Sequence, residues 1–216
     1  MPEIDLMNTM EVIQNADGLE RRTLGEIRMP PAADGARPGT MTGHAARFNT
    51  IAKIGNFVQE QIKPGAFTRA IQHDDVRALI DHNSSLILGR NRAGTLRLAE
   101  DDLGLRIEID PPDTSYANDL LTSIRRGDVS QMSFGFRALK ETWDDTQDPP
   151  LRTLEEVELF DVSPVTFPAY ANTEISVRAF QHAGAVLRAE NEAEKSAILA
   201  RMKMRQAMAE RHMNSR

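Results

Sequence analysis

Residues 94–110 read GTLRLAEDDLGLRIEID, and they contain two runs in which apolar and polar residues alternate. Leucines alternate with mostly polar neighbours in residues 94–100, and Leu or Ile alternates with Arg, Glu or Asp in residues 104–110. Successive side chains of a β-strand point to opposite faces, so each run predicts a strand with one buried face. The polar residues Asp101 and Asp102 lie between the two runs. This stretch therefore predicts an antiparallel β-hairpin.

Segments on both sides of this hairpin predict further strands and two short helices. Five segments have the composition of strands: residues 21–29, 43–49, 76–80, 129–139 and 154–165. Pro64 opens a segment typical of a short helix. Thr114 or Ser115 can cap a longer helix that runs to Arg126 and ends at Gly127. Because strands outnumber helices, we predict a β-rich α+β fold, either a barrel or a sandwich decorated by helices.

The two ends of the chain differ from this central region. Residues 1–19 show no clear hydrophobic period, and we interpret them as a leader. Residues 178–216 are rich in Ala, Glu, Lys, Arg and Met, which are good helix formers, and they predict a helical C-terminal tail. The tail has more basic than acidic residues, which suits docking onto an acidic partner. Residues 20–177 then form the folded domain.

The composition excludes several classes of protein. The 216 residues include no cysteine, which excludes disulfides, thiolate metal sites and a cysteine nucleophile. A net charge of −6 argues against the concentrated basic face that binds nucleic acid. The N-terminus lacks the features of a signal peptide, and no apolar run is long enough to span a membrane. His73, Asp74 and His82 have no metal-ligand spacing and no glycine-rich phosphate loop occurs, so we expect neither metal nor cofactor.

Three segments carry the parts of an activated serine nucleophile. His82 lies in ALIDHN, residues 78–83, and 51 residues later Ser133 lies in QMSFGF, residues 131–136. Carboxylates follow in EVELFDVSPVT, residues 156–166. A serine hydroxyl is a weak nucleophile until an imidazole takes its proton, and a carboxylate orients that imidazole. Ser130 is a rival nucleophile, although a serine in a turn usually satisfies backbone groups instead.

Two carboxylates compete for the role of the orienting acid. Asp161 and Glu158 are three residues apart, so in a regular strand they face opposite sides. Asp161 would share its face with Leu159, and Glu158 would share the other face with Glu156. Two glutamates on one face suit solvent, whereas a carboxylate on a buried face needs a partner. Asp161 is therefore the favoured acid, and Glu158 is the alternative.

The order of short motifs along residues 20–177 resembles the prohead proteases of tailed bacteriophages, which act in maturation of the immature capsid. The matching motifs are GHAARFN (43–49), IKPGAF (62–67), DHN (81–83), LGR (88–90), EDDLGL (100–105), MSFGF (132–136) and ELFDVSPVTFPA (158–169). Each motif alone is unspecific, whereas the complete set in this order is specific.

This resemblance implies both a fold and a set of site residues. The implied fold is a closed β-barrel wrapped by helices, as in the related herpesvirus assembly proteases, with the active site on the barrel wall. The implied enzyme is a serine endopeptidase in which Ser133 is the nucleophile, His82 the base and Asp161, or alternatively Glu158, the acid. Position 161 is Asp where many phage members have Glu.

The resemblance also implies partners and a location. The expected substrates are segments of the phage scaffold and major capsid protein, together with the protease itself. The expected site of action is the immature prohead in the cytoplasm of the bacterial host, whether the gene is carried by a phage or a prophage. Relatives in the family suggest a homodimer.

Two other functions compete with this interpretation. A catalytically silent capsid-assembly factor of the same fold is the alternative, but that role needs neither the serine, the histidine nor the acid. A serine esterase of the α/β-hydrolase kind is disfavoured because the chain has no Gly-x-Ser-x-Gly motif.

Overall fold

The computed structural model describes residues 18–29, 39–54 and 58–167, together with Glu192. The chain divides into two units, residues 1–177 and residues 178–216, and the elements below belong to the first. The predicted leader and nearly all of the predicted helical tail lie outside the described residues.

Ten β-strands and two α-helices lie in the described residues between 18 and 167. In order they are β1 (Glu20–Arg28), β2 (Met41–Arg47), β3 (Ala52–Ile54), β4 (Val58–Ile62), α1 (Thr68–His73), β5 (Arg77–Ile80), β6 (Asn83–Arg90), β7 (Leu96–Glu100), β8 (Gly104–Ile109), α2 (Ser115–Arg126), β9 (Gln131–Asp144) and β10 (Leu151–Val165). A single 3₁₀ turn, Asn91–Ala93, separates β6 from β7. The prediction of a β-rich α+β fold is confirmed.

The strands form one sheet in the order β3-β4-β10-β9-β1-β2-β8-β7, with β5 paired to β10 and β6 paired to β5. The pairs of β10 with β4 and with β5 are parallel, and the other described pairs are antiparallel. Within the described residues the hydrogen-bonded ladder stays open, because β3 and β7 each have one partner. The predicted closure into a barrel is not confirmed, and the likeness to herpesvirus assembly proteases stays a prediction.

Glu100, the last residue of β7, contacts the start of α1 through its side chain. Glu100 accepts hydrogen bonds from the Phe67 backbone N–H at 2.9 Å and from the Thr68 hydroxyl at 2.7 Å. These bonds satisfy donors at the start of the helix, where the backbone has no partner of its own. The short helix is therefore attached to the strand at this end of the sheet.

The predicted hairpin over residues 94–110 is present as β7 and β8. Leu96 pairs with Ile109 and Leu98 with Ile107, as the alternation requires. Leu96, Ile107 and Ile109 are buried in the core. Gly104 allows a close approach, since a Cβ atom there would lie 2.0 Å from the carbonyl oxygen of Ala46.

Helix α2 ends where the sequence predicts. Leu120, Leu121 and Ile124 are buried on one side of it. Gly127 follows with a φ of 85°, and its N–H donates to the carbonyl of Ile124. A left-handed residue after the last turn is a common helix terminator, and glycine adopts it without steric cost. None of the described helices has the length and apolar character of a transmembrane segment.

A buried charge cluster joins strands β1, β4, β9 and β10. Arg22 donates to Glu60 at 2.6 Å and to Glu20 at 2.5 Å. Arg152 donates to Glu20, Glu60 and Glu141 at 2.5–2.8 Å. Burial disfavours the charged form of Glu20, but the two guanidinium groups outweigh it and lower its pKa to about 2. Removing one partner of such a buried pair typically costs about 3–5 kcal/mol.

The side chains of β9 alternate between the hydrophobic core and the opposite face of the sheet. Met132, Phe134 and Phe136 are fully buried and belong to the hydrophobic core. Because side chains alternate along a strand, Ser133 and Gly135 point to the opposite face of the sheet.

Candidate active site

Ser133 and Asp161 lie on neighbouring strands and on the same face of the sheet. The antiparallel pairing of β9 with β10 places Ser133 opposite Ser163 and Gly135 opposite Asp161. Val162, between the two β10 residues, is buried in the core together with Phe134. The pairing therefore directs the hydroxyl and the carboxylate away from the core, toward each other.

A β-bulge in β10 decides which face Asp161 occupies. Phe136 pairs with Leu159 and Gly135 with Asp161, so Phe160 is an extra residue in β10. The bulge reverses the alternation: Val157 and Leu159 belong to the core, whereas Asp161 lies on the opposite face. The prediction that Asp161 shares a face with Leu159 and opposes Glu158 is wrong, because β10 is not a regular strand.

Glu158 lies on the same face as Asp161 but is held by a different partner. It is paired with Arg137 across the strands, and the Arg137 guanidinium donates to its carboxylate at 2.6 Å. The same guanidinium lies 5.3 Å from the centre of the Phe160 ring. Glu158 is thus tied to a cation farther along the sheet, and the structure places Asp161 beside the histidine.

His82 is brought to this face by a tight turn between β5 and β6. Ile80 pairs with Asn83, which leaves Asp81 and His82 as the two turn residues. Both have positive φ, 49° and 57°, as in the turns that match the twist of a two-residue hairpin. Positive φ is uncommon for residues other than glycine, although Asp and His are among the residue types that adopt it more often.

Asp81 fastens this turn to the end of β10. Its carboxylate accepts the Thr166 backbone N–H at 2.8 Å and the Thr166 hydroxyl at 3.1 Å. The Asp81 N–H donates to the Pro164 carbonyl at 3.0 Å. The turn that carries the imidazole is therefore bound to the strand that carries the acid.

The imidazole of His82 bridges the other two side chains. Its Nε2 lies 2.7 Å from Ser133 Oγ, and its Nδ1 lies 2.6 Å from Asp161 Oδ1. In the neutral tautomer that donates from Nδ1 to the carboxylate, Nε2 is an acceptor and faces the serine hydroxyl. Ser133 is 1% exposed, and the side chains of His82 and Asp161 are 12% and 11% exposed. This geometry suits proton transfer from a hydroxyl to a base oriented by an acid.

Gly135 leaves the space that the acid occupies. A Cβ atom at position 135 would lie 2.3 Å from Asp161 Oδ2 and 3.3 Å from its Cγ. Any side chain at Gly135 would therefore displace the carboxylate. The MSFGF motif thus requires glycine at position 135, because the Asp161 carboxylate occupies the space of a side chain there.

The remaining candidate residues lie elsewhere. Ser130 is exposed, and its carbonyl accepts the Ile27 N–H at 3.0 Å just before β9 begins. His44 is paired with Asp101 at 2.9 Å, and His73 is exposed in the last turn of α1. Within the described ranges, no three histidine or acidic side chains converge as a metal site would require.

Sequence reasoning did not identify the roles of Asp81 or of the bulge at Phe160. Asp81 precedes His82 directly, and a non-glycine pair between two strands is a weak signal for such a turn. The bulge leaves no signal in the sequence of β10 alone, since it is defined by pairing with β9.

The sequence matches the family model of the caudovirus prohead serine proteases over residues 27–186. Among solved structures, the capsid assembly protease of bacteriophage T4 matches with 13% identity and a TM-score of 0.45. That match covers 71% of this chain and 100% of the T4 chain. No curated protein sequence matches the chain significantly.

Proposed function

Since the chain belongs to the family of caudovirus prohead serine proteases, we propose that it is an active endopeptidase of the immature capsid. Ser133 is the nucleophile, His82 the general base and acid, and Asp161 the orienting carboxylate. The observation that carries this proposal is the bridging position of the imidazole, 2.7 Å from Ser133 Oγ and 2.6 Å from Asp161 Oδ1.

The reaction follows from these contacts. His82 Nε2 takes the proton of Ser133 as its Oγ attacks the scissile carbonyl, and the imidazolium then gives that proton to the leaving amine. The carboxylate of Asp161 holds the Nδ1–H and stabilises the imidazolium. A water molecule, deprotonated by the same Nε2, hydrolyses the acyl-enzyme and returns Ser133 to its starting state.

The geometry favours an enzyme over a catalytically silent assembly factor. A silent factor has no need for a histidine in a turn with positive φ at both residues, nor for a glycine that makes room for a carboxylate. Backbone strain of this kind costs free energy and tends to occur at functional sites.

The substrates in this proposal are segments of the scaffold and major capsid protein, and segments of the protease itself. The reaction takes place inside the prohead, in the cytoplasm of the bacterial host. Cleavage of its own chain would confine the activity to the period of assembly.

Expression of the wild-type chain beside S133A and S130A tests the proposal. Wild type and S130A should yield the same discrete fragments, detected by intact-mass spectrometry, whereas S133A should stay intact. A fluorophosphonate probe should label the peptide that contains Ser133 and spare S133A. Fragments from S133A, together with their loss in S130A, would move the nucleophile to Ser130.

Co-expression with the scaffold and major capsid proteins of the same phage tests the substrates. Wild type should shorten at least one of them at defined positions, and S133A should shorten neither. If both variants leave the two proteins intact while wild type still cleaves itself, the proposed substrates are wrong.

A further inference from the structure

We propose that Ser163 is a positioning residue of the active site, whose hydroxyl holds the Asp161 carboxylate in the orientation that accepts the hydrogen bond from His82 Nδ1–H. This inference rests on the proposed function, because it assigns Ser163 a part in the same reaction. In this proposal Ser163 acts through Asp161, which accepts the hydrogen bond of its hydroxyl.

The hydroxyl of Ser163 donates its hydrogen bond to the Asp161 carboxylate. Its Oγ donates to Asp161 Oδ1 at 2.7 Å, and Ser163 is 0% exposed. The two residues are two apart in β10, after the bulge, so they share a face. The same oxygen, Oδ1, accepts the His82 Nδ1–H at 2.6 Å. One carboxylate oxygen thus accepts two short hydrogen bonds, one from the imidazole and one from the Ser163 hydroxyl.

The other carboxylate oxygen, Oδ2, occupies the space that Gly135 leaves. It lies 2.3 Å from the position that a Cβ atom at residue 135 would take. The last torsion of an aspartate side chain has a broad energy minimum, so the intrinsic torsional preference alone does not prevent rotation of the carboxylate. The Ser163 hydroxyl restricts this rotation, since turning the carboxylate would break a charge-assisted hydrogen bond.

Ser163 lies directly across from Ser133, but its contacts do not make it a second nucleophile. Ser133 and Ser163 are register partners in the β9–β10 pair. The imidazole Nε2 lies 2.7 Å from Ser133 Oγ, whereas the Ser163 proton is donated to Asp161. Ser163 therefore has no base to activate it, and its role is limited to orienting the acid.

The alternative is a purely structural role, in which the buried Ser163 hydroxyl only needs an acceptor for its proton. Thr40 provides a matched control, because its hydroxyl donates to Asp110 Oδ1 at 2.8 Å in a place that is not part of the site. Thr40 is 6% exposed. Both pairs consist of a buried hydroxyl and a carboxylate, but the Asp161 carboxylate faces an imidazole, whereas that of Asp110 accepts from the Arg97 guanidinium.

The variants S163A, S163C and T40V test the inference in the full-length chain. Loss of the donor should lower kcat by roughly 10- to 100-fold with KM within about threefold, because hydrogen bonds to charged groups carry that much free energy. S163C, whose thiol is a weak donor, should fall between wild type and S163A. T40V should keep the wild-type kcat. If S163A fails to fold by circular dichroism, S163C carries the comparison alone.

A second measurement is independent of turnover. The proton between His82 Nδ1 and Asp161 gives a strongly downfield resonance in the proton NMR spectrum when the carboxylate is oriented. S163A and S163C should shift or broaden this resonance, and T40V should leave it unchanged. Unchanged kcat and an unchanged resonance in both Ser163 variants overturn the inference. Failure of the proposed function would look different: wild type itself would show no cleavage that S133A lacks.

Discussion

The glycine at position 135 offers a sharp test of where the acid sits. In G135A, the added Cβ atom would lie 2.3 Å from Asp161 Oδ2, about 1.1 Å short of ordinary contact, which begins at 3.4 Å. Gly135 is extended in β9, so alanine fits its backbone and the fold should persist. We expect the carboxylate to retreat by about 1 Å from Gly135, which would also disturb the 2.6 Å contact between its Oδ1 and His82 Nδ1.

The expected loss of activity lies between two known effects. A misplacement of about 1 Å at a reacting group can cost roughly 10²-fold, and loss of the orienting acid costs roughly 10⁴-fold. We therefore expect kcat/KM of G135A to fall by about 10²- to 10⁴-fold, equivalent to roughly 2.7–5.4 kcal/mol of transition-state stabilisation. The assay is the initial rate of hydrolysis of a fluorescently labelled unfolded protein, with thermal unfolding measured in parallel.

The variant G43A is the matched control for the fold. Its Cβ atom would lie 2.0 Å from the Glu26 carbonyl oxygen, on the backbone of the paired strand. G43A should therefore lower thermal stability, whereas G135A should lower activity with a much smaller change in stability. A kcat/KM for G135A within threefold of wild type would refute this placement of the acid.

Three further outcomes are expected. The variant D81A removes the anchor of the turn and should lower kcat by roughly 10-fold, since a loosely held base is misplaced for part of the time; an unchanged kcat would show that the turn is rigid without it. D161N should lower kcat by roughly 10⁴-fold, while E158Q should stay within about threefold, and the reverse result would transfer the acid role to Glu158. Glu20 has a pKa lowered from 4.5 to about 2, so its contribution to stability is complete above pH 4.5 and is lost as the pH falls toward 2. E20Q should lower the free energy of unfolding by about 3 kcal/mol at pH 7, with a smaller difference near pH 3 in urea titrations; equal differences at both pH values would contradict the lowered pKa.

Much of the local structure was predictable from the sequence. The alternation in residues 94–110 predicted the hairpin of β7 and β8, and Gly127 predicted the end of α2. These features depend on a few neighbouring residues: a strand with one buried face alternates, and a left-handed residue ends a helix. The motifs around His82 and Ser133 were likewise recognisable from short stretches.

The tertiary structure decided how these stretches meet. Ser133 and His82 are 51 residues apart, and they come together because β5 pairs in parallel with β10 and the turn after β5 is fastened to Thr166. Asp161 faces them only because Phe160 is an extra residue opposite β9. A regular alternation of side chains along β10 predicts Asp161 on the core face with Leu159, which is not where it lies.

The physical reason for this division is the range of the interactions involved. Helix ends, hairpins and alternation depend on contacts between residues close in the chain, so the sequence alone determined them for this protein. A bulge, a parallel pairing and the space above Gly135 depend on a second strand whose register is set by burial of the whole sheet. The chemical identities of serine, histidine and acid were thus present in the sequence, but their juxtaposition exists only in the folded sheet.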